Sequence, residues 1–304
     1  MMLLRLSKIG LWGLLVFGIL LQLWLKDRHL LWTLFFYAMP KPCLALLAAG
    51  LAYFSRRRGR ITAGLACLMI TAWWLAASYR GGLEIQPAAA ARKAADEVTM
   101  LYWNLARPVG LDAEMVSLMK AWQPDIAAFV EPGQSVETLL AEYEKQLPGY
   151  RAAWMPRGIL WLARVPSRYR DRGKLAGVGA YARFDVDGFG PTFPVVAADV
   201  HPGYPRKPQL QQVLAHSSGR RDAILVGDFN TPLESIFFAD YRARFQNALE
   251  VAGTGFKETW PIGLPLLSLD HFWTGPDWQI LQAQKIWDLT GSDHAALWVK
   301  LKRR

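Results

Sequence analysis

Two charge-free apolar runs near the N-terminus constrain this chain more than any other feature. Ile9–Leu25 contains one Gln and no charged residue, and Ile61–Tyr79 is a second uncharged run with two tryptophans near its end. A helix of 17 residues covers about 25 Å, which matches the hydrocarbon core of a thin bilayer. Because apolar helices without a polar face are unusual in soluble proteins, we expect both runs to span a membrane.

A third apolar segment, His29–Ser55, is interrupted by Pro40-Lys41-Pro42. It is either one kinked span, or an interfacial helix over His29–Ala38 followed by a short span over Pro42–Phe54. Both alternatives make residues 1–80 a membrane anchor with about three transmembrane helices. A cleaved signal peptide would contribute a single short apolar core, so the further runs predict permanent anchoring.

The positive charge of the chain is concentrated in this anchor. The net charge is +10, but residues 1–80 hold ten of the 35 Lys and Arg and only one of the 25 Asp and Glu, Asp27, which leaves the rest at +1. The polar part therefore has no general attraction for extended polyanions such as DNA. Both cysteines, Cys43 and Cys67, lie in apolar runs, so the polar part has neither a disulfide framework nor a thiolate metal site.

The basic loops predict the orientation of the anchor. Loops that carry the excess of Lys and Arg face the cytoplasm. Two such loops hold six basic residues, against three in the segments on the other side. The cytoplasmic six are Arg5, Lys8, Arg56, Arg57, Arg58 and Arg60, and the other three are Lys26, Arg28 and Arg80. An odd number of spans then places residues 81–304 on the extracytoplasmic side of the cytoplasmic membrane.

Residues 81–96 form a predicted linker, and residues 97–304 form a predicted α/β domain. The linker has a Gly pair, a Pro and an alanine run, and no strand pattern. Beyond it, short apolar strands such as Asp125–Val130 and Phe193–Asp199 alternate with helices such as Leu111–Trp122 and Ser135–Gln146. Several strands are apolar enough to be buried on both faces, which is typical of layered α/β proteins.

Polar residues follow these strands at their ends, where layered α/β proteins open their ligand crevice. They are Asn104, Glu131, His201, Asp228, Asn230, Asp270, Asp293 and His294. Taken singly, a strand-terminal Asn or Asp is also typical of a turn, and His201 before Pro202 fits a turn as well. Glu131 is harder to explain structurally, because an unpaired carboxylate after a fully apolar strand is costly. We expect His29, His216 and His271 to be structural.

In their order, these residues and their neighbours resemble the endonuclease/exonuclease/phosphatase superfamily, the deoxyribonuclease-like phosphoesterases. The resemblance covers about residues 97–302, and Gly-Asp-Phe-Asn and Ser-Asp-His are its most diagnostic parts. The motifs are Trp103-Asn104, Pro124–Glu131, Gly158–Pro166, Val200–Pro202, Gly227–Asn230, Leu269–Trp273 and Ser292–His294. It implies a four-layer α/β sandwich, with two mixed sheets flanked by helices, and Mg²⁺- or Mn²⁺-dependent hydrolysis of phosphoesters.

The resemblance also implies roles for individual residues. Glu131 is then the principal metal ligand, supported by Asn104 and Asp293, and this set of oxygen ligands suits Mg²⁺ better than zinc. Asp228 orients or activates the attacking water. Asn230 and His201 contact the phosphate, and Asp270 with His294 forms the carboxylate–imidazole pair at the catalytic centre. The chain departs from the family at Val130, where a Gln is common, and in its short loops, which leave little room to grip duplex DNA.

Three functions are compatible with these residues. Three spans followed by such a domain are similar to the membrane-bound phosphatases associated with glycopeptide resistance, which implies a lipid-linked phosphate or pyrophosphate substrate and the lipid bilayer as a partner. An extracytoplasmic nuclease is the enzymatic alternative, since the basic clusters Arg164–Lys174 and Arg206-Lys207 could bind nucleic acid. A non-catalytic membrane adaptor is the third. The sequence indicates no obligate protein partner.

Overall fold

The computed structural model of the protein describes residues 2–90, 92–133, 136–155, 158–287 and 289–304, with the side chains of residues 2–7 and 30 left out. The chain divides into two compact units. The first comprises Met1–Arg80 with Glu234–Ile236, and the second comprises Gly81–Leu233 with Phe237–Arg304. Each is described by itself below.

The first unit is helical. A π-helical turn over Leu21–Leu25 follows its first helix, and a two-residue strand, β1 (Tyr79–Arg80), follows its last. Its helices are α1 (Met2–Leu20), α2 (Leu30–Ala38), α3 (Lys41–Phe54) and α4 (Arg57–Ser78). Gln22, the one polar residue of the first apolar run, donates hydrogen bonds to the carbonyl oxygens of Phe36 and Met39, at 2.9 and 3.0 Å. Carbonyls freed at the break before Pro40 are thereby satisfied, as an apolar environment requires.

Two described helical segments, Lys8–Leu25 and Arg57–Ser78, are long and apolar enough to cross a membrane. The segments Leu31–Ala38 and Lys41–Phe54 also pass this test as a pair, bent by 69° at the break between them. The bend lies at the predicted interruption around Pro40. By length and composition the chain therefore has two candidate spans, or three if the bent pair counts as one.

The second unit contains the remaining helices and strands. Short helices and two-residue strands lie mostly in its connecting segments. The helices are α5 (Pro87–Ala90), α6 (Ala113–Trp122), α7 (Val136–Gln146), α8 (Arg206–His216), α9 (Ala239–Arg242) and α10 (Ala248–Ala252), with a 3₁₀ turn over Ile236–Phe238. The strands are β2 (Glu97–Asn104), β3 (Ile126–Val130), β4 (Arg151–Met155), β5 (Ile159–Ala163), β6 (Ser167–Leu175), β7 (Gly179–Val186), β8 (Phe193–Asp199), β9 (Ile224–Asp228), β10 (Gln246–Asn247), β11 (Gly255–Phe256), β12 (Asp270–Thr274), β13 (Trp278–Ile286) and β14 (Ala296–Arg303).

All of these strands except β11 form two mixed six-stranded sheets, in the orders β13-β14-β2-β3-β5-β4 and β10-β12-β9-β8-β7-β6. One apolar core lies between the sheets and includes Val98, Phe184 and Trp278. A second core packs the first sheet against α6 and α7, and a third packs the other sheet against α8 and α9. Helix, sheet, sheet and helix make four layers, which confirms the predicted sandwich.

The predicted linker packs onto the α/β domain that follows it. Ala90 is fully buried in the core beneath α6, and Ile85 packs against the same cluster. The backbone N–H of Ile85 also donates a hydrogen bond to the Gln284 side chain. Composition alone suggests a tether here, because alanine and glycine carry no information about a docking surface.

The helix predicted over Ser135–Gln146 is observed as α7, and its predicted first residue, Ser135, lies outside the described residues. The basic stretch Arg164–Lys174 includes most of β6, which lies at the edge of its sheet with mostly exposed residues. Charged edge strands of this kind resist pairing with other chains. Arg164 pairs with Asp125 and Arg170 with Asp185, so part of this stretch is a solvated, ion-paired face.

Candidate active site

The register of three adjacent strands brings three carboxylates into one row. Asp199 on β8 lies opposite Asp228 on β9, and Asp228 lies opposite Asp270 on β12. Side chains of directly opposed residues share a face of the sheet. β2 of the other sheet contributes Tyr102, whose hydroxyl donates a hydrogen bond to Asp270 Oδ1 at 3.1 Å. The site is therefore built where the ends of strands from both sheets meet.

Asp270 and His294 form the predicted carboxylate–imidazole pair. His294 Nδ1 lies 2.8 Å from Asp270 Oδ2, and both side chains are buried. The backbone of His294 is also fixed, because the backbone carbonyl of His294 accepts a hydrogen bond from the Trp103 indole at 2.8 Å. With Nδ1 bound to Asp270, Nε2 remains available to a ligand.

Asp228 faces this imidazole. Its Oδ2 lies 3.9 Å from His294 Nε2 and accepts a hydrogen bond from the Asn104 amide at 3.0 Å. Its Oδ1 accepts the backbone N–H of Asn230 at 2.8 Å. Asn104, Asp228, Asp270 and His294, predicted from four separate motifs, are thus in one buried network.

The charges of this network perturb one another. Burial would lower the pKa of His294, but the Asp270, Asp228 and Asp293 carboxylates and the hydrogen bond to Asp270 raise it to about 10. Burial and then the charge of Asp270 raise the pKa of Asp228 well above its usual value. An imidazolium that persists at neutral pH is a hydrogen-bond donor, and a carboxylate with a raised pKa is a stronger proton acceptor.

Asp293 lies beside the same imidazole and is accessible to solvent. Its Oδ1 is 3.9 Å from His294 Nε2, and its Oδ2 accepts a hydrogen bond from the Trp260 indole at 2.7 Å. The side chain of Asp293 is 57% exposed. A ligand on the open side of the crevice can therefore reach it.

Glu131 lies in a part of the crevice that also contains Arg107 and Asp199. Its Oε1 accepts a hydrogen bond from the Arg107 guanidinium at 2.7 Å. Burial, and then the negative charge of Glu131, raise the pKa of Asp199 to about 7. Asp199 therefore connects Glu131 electrostatically with Asp228 and Asp270, which lie in the same row of the sheet.

The two residues predicted to contact phosphate are positioned at neighbouring loops. The Asn230 amide donates a hydrogen bond to the Val200 carbonyl at 2.9 Å, which joins the loop after β9 to the end of β8. His201 is exposed, its Nδ1 accepts the backbone N–H of Gly203 at 3.0 Å, and its ring lies 5.1 Å from that of Tyr204. Both roles remain predictions, since these contacts are made within the loops themselves.

Sequence reasoning missed Asp199, Tyr102 and Arg107. Asp199 could have been found as the one acidic residue that closes the apolar strand before His201. Tyr102 has no comparable signal, because an aromatic residue inside an apolar strand is typical of a core. His271 is structural as predicted: it is buried, and its Nε2 lies 2.8 Å from the Thr231 carbonyl.

The donors present suit a hard divalent cation. Ligand atoms of Asp228, Asp270 and His294 lie within 4.8 Å of one another, close enough to hold a metal ion. This group consists of residues predicted for catalysis and does not include the predicted ligands Glu131, Asn104 and Asp293. Burial, and after it the charges of neighbouring carboxylates, raise the pKa values of Asp199 and Asp228. The contribution of the carboxylates marks a local excess of negative charge that a cation would offset. Carboxylate and amide oxygens are the ligands that such ions prefer.

Several solved structures of known proteins have the same fold. A family protein from Bacteroides thetaiotaomicron has a TM-score of 0.55 and 17% identity, over 68% of this chain and 98% of its own. The mannosyl-6-phosphatase from the same species has a TM-score of 0.54 and 16% identity, over 67% and 99%. The human Nocturnin catalytic domain, whose structure contains a bound sulfate anion, has a TM-score of 0.52 and 14% identity, over 68% and 94%. At these identities the likeness concerns the fold.

No curated protein sequence matches the chain. Residues 101–294, which include every predicted site residue, match the sequence profile described as "Endonuclease/Exonuclease/phosphatase family". The matched region is most of the second unit and more than half of the chain. With a four-layer sandwich and a buried Asp–His–Asp group at its crevice, the chain belongs to the endonuclease/exonuclease/phosphatase family.

Proposed function

We propose that this chain is a membrane-anchored, divalent-metal-dependent phosphoesterase. Its substrate is a lipid-linked phosphoester or pyrophosphate at the outer face of the cytoplasmic membrane. The observation that carries the hydrolytic part is the buried group of Asp228, Asp270 and His294, in which a carboxylate and an imidazole Nε2 face each other at 3.9 Å. Members of the family are hydrolases of phosphoester bonds.

The residues divide the reaction between them. Asp270 fixes the imidazole, so that the Nε2–H of His294 donates to a phosphoryl oxygen and offsets the charge that develops there. Asp228 orients the attacking water and accepts its proton as the water oxygen bonds to phosphorus. The bond from phosphorus to the leaving oxygen then breaks, and that oxygen departs with its electron pair.

Glu131, Asn104 and Asp293 are the residues proposed to hold the cation, which is Mg²⁺ or Mn²⁺. When bound, the cation polarises the phosphoryl group and neutralises part of its charge. Asn104 also bonds Asp228 through its amide nitrogen, so it links the cation ligands to the base. This link gives Asn104 a positioning role in addition to coordination.

Two features favour a lipid-linked substrate over nucleic acid. The chain has two helices, or three with the bent pair, that are apolar enough to cross a membrane, and a site tethered to a membrane meets lipid headgroups. The polar part has a net charge near neutrality, whereas DNA binding relies on many Lys and Arg contacts with phosphate. The mannosyl-6-phosphatase of similar fold supports small phosphate esters as substrates of this architecture.

The test compares substrates on the full chain, purified in detergent or nanodiscs with Mg²⁺. We expect phosphate release from a polyprenyl phosphate or pyrophosphate, and little cleavage of plasmid DNA. DNA cleavage without lipid turnover would falsify the lipid assignment and favour an extracytoplasmic nuclease. Absence of metal-dependent turnover on any phosphoester would instead favour the non-catalytic adaptor.

A further inference from the structure

Arg107 is placed beside Glu131 by an unusual backbone. Ala106, Arg107 and Glu131 all have left-handed φ angles, of 51°, 60° and 50°. Residues other than glycine adopt this region at a cost, and such residues cluster at functional sites. The two turns are joined by a hydrogen bond from the Arg107 N–H to the Glu131 carbonyl at 2.8 Å.

Close packing fixes these two turns against each other. A Cβ added to Gly133 would lie 2.1 Å from the Pro108 carbonyl oxygen, so this contact requires glycine. The Glu131 N–H also donates to the Gly158 carbonyl at 3.0 Å. The backbone that carries Arg107 and Glu131 is therefore rigid, while the Arg107 side chain is 73% exposed.

The Arg107–Glu131 ion pair leaves this guanidinium free to change partners. An exposed ion pair contributes only about 0–1 kcal/mol to stability. Once the Glu131 carboxylate binds a cation, the Arg107 guanidinium needs another anion close by. Guanidinium groups bind phosphate oxygens through paired hydrogen bonds.

An open cleft of about 810 Å³ adjoins this pair. The charged residues of this cleft, Arg107, Glu131 and Asp199, belong to the candidate active site described above. Most of its other described lining residues are apolar, and they are Pro108, Val109, Pro132, Leu139 and Trp154. Val109 is part of this lining and is fully exposed, at 102%.

We propose that Arg107 binds a phosphate oxygen of the substrate, and that this apolar cleft binds the hydrocarbon attached to that phosphate. The inference rests on the proposed function, because it assigns the lipid part of the substrate to the catalytic domain itself. Charge complementarity favours a phosphate at Arg107, and the apolar walls favour hydrocarbon over a hydrated sugar. The alternative, that the helices merely concentrate the enzyme at the membrane, requires no such cleft.

Phosphonates provide a binding test, because their carbon–phosphorus bond is not a phosphoester. Methylphosphonate and hexylphosphonate are titrated calorimetrically into the full chain in nanodiscs with Mg²⁺, with empty nanodiscs as the blank. Since binding free energy grows with each buried methylene, we expect the hexyl compound to bind at least about ten-fold more tightly.

Three variants separate the contributions. Val109→Asn, a polar substitution that adds no charge beside Arg107, should remove the advantage of the hexyl chain and leave methylphosphonate affinity unchanged. Because the position is exposed, misfolding does not explain such a loss. Arg107→Gln should weaken both phosphonates about ten-fold. Arg221→Gln is the matched control and should change neither, because the Arg221 side chain is 72% exposed and pairs with Asp277.

Equal affinity of the two phosphonates for the wild-type chain would overturn the hydrocarbon assignment, and an unchanged Arg107→Gln variant would overturn the phosphate assignment. Failure of the proposed function has a different signature. Polyprenyl substrates would then give no turnover although the phosphonate pattern holds, and the site would serve another amphiphilic phosphate.

Discussion

At the scale of single residues, one hydrogen-bonded chain determines what the site can do. Tyr102 and His294 both contact Asp270, and Asp228 faces the free imidazole nitrogen. Burial and the charge of Asp270 raise the pKa of Tyr102 well above its usual value, so its hydroxyl remains a donor. Asp270 therefore stays an acceptor on both oxygens, and the orientation of His294 follows from it.

Replacing Glu131, Asp228 or His294 with Ala should lower the rate of metal-dependent phosphate release by about 10³-fold or more. Initial rates, together with a thermal unfolding curve for each variant, check this. His216→Ala serves as the control, because His216 stacks on Tyr181 outside the network, and it should retain near-normal rates. Near-normal turnover by Asp228→Ala would show that the site is assigned wrongly.

Asp199→Asn should stabilise the metal-free protein at alkaline pH. Because burial and the charge of Glu131 raise the pKa of Asp199 from 3.8 to about 7, ionised Asp199 is unfavourable in the fold, and stability falls as pH rises through this range. In EDTA at pH 8 the variant should melt a few degrees above wild type, and at pH 4 the gap should nearly vanish. Excess Mg²⁺ should narrow the gap at pH 8. Exposed Asp240→Asn is the control, and an equal shift there would contradict the explanation.

His271 should make the domain sensitive to acid. Its burial lowers its pKa from 6.5 to about 4, so the unfolded chain binds more protons between these values, and stability is lost as pH falls from 6.5 towards 4. The loss is on the order of 3 kcal/mol. Melting temperatures of wild type and His271→Gln at pH 7 and pH 5 check this. The variant should start lower and fall less on acidification; parallel falls would assign the effect to other groups.

At the scale of elements, the parallel pair β8 and β9 and the neighbouring β12 position the acids. The apolar strands bury both faces in the four-layer sandwich. The last residues of β8 and β9 and the first residue of the antiparallel β12 are carboxylates at the same level. A shift of one residue in register would turn an entire set of side chains to the other face. The catalytic geometry is therefore as stable as the pairing of these three strands.

Gly227→Ala should disrupt this pairing. A Cβ there would lie 2.0 Å from the carbonyl oxygen of Ala198 on the neighbouring strand, so the strands would have to separate. We expect a loss of about 3 kcal/mol or more in the free energy of unfolding, measured by urea denaturation, together with lower activity. Gly219→Ala has open space around its Cβ and should cost about 1 kcal/mol through its left-handed backbone alone. Equal losses would show that the strand contact is not responsible.

At the scale of the whole molecule, the chain combines an apolar, basic helical unit with a nearly neutral α/β unit. The charge asymmetry carries orientation information, because membrane insertion retains basic loops on the cytoplasmic side. Because of the same asymmetry, the overall charge of +10 is not by itself an argument that the α/β unit binds nucleic acid.

Reporter fusions test the predicted orientation. Alkaline phosphatase fused after Arg304 should be active, since it folds only outside the cytoplasm, and a green fluorescent protein at the same place should remain dark. The chain should also stay in the membrane pellet after an alkaline carbonate wash. The reverse reporter pattern would place the catalytic unit in the cytoplasm and exclude an outer-face substrate.

Much of the fold and the site follows from local sequence. Phe193–Asp199 is predicted and observed with the same bounds, because an unbroken apolar run has one simple explanation. β6 is polar and lies at a sheet edge, so no apolar run marks it in the sequence. The packing of Ala90 and Ile85 against the core beneath α6 could not be predicted from their own sequence, because it depends on the apolar surface that they contact.

The sequence by itself determined the apolar helices, the layered class and the polar residues at the strand ends, because periodicity and composition are properties of neighbouring residues. Only the tertiary structure decided which of those residues meet. It joined Asn104, Asp228, Asp270 and His294 in one network, separated Glu131 into a pair with Arg107, and added Asp199 and Tyr102. These contacts depend on sheet order and register, which bring together residues far apart in the chain.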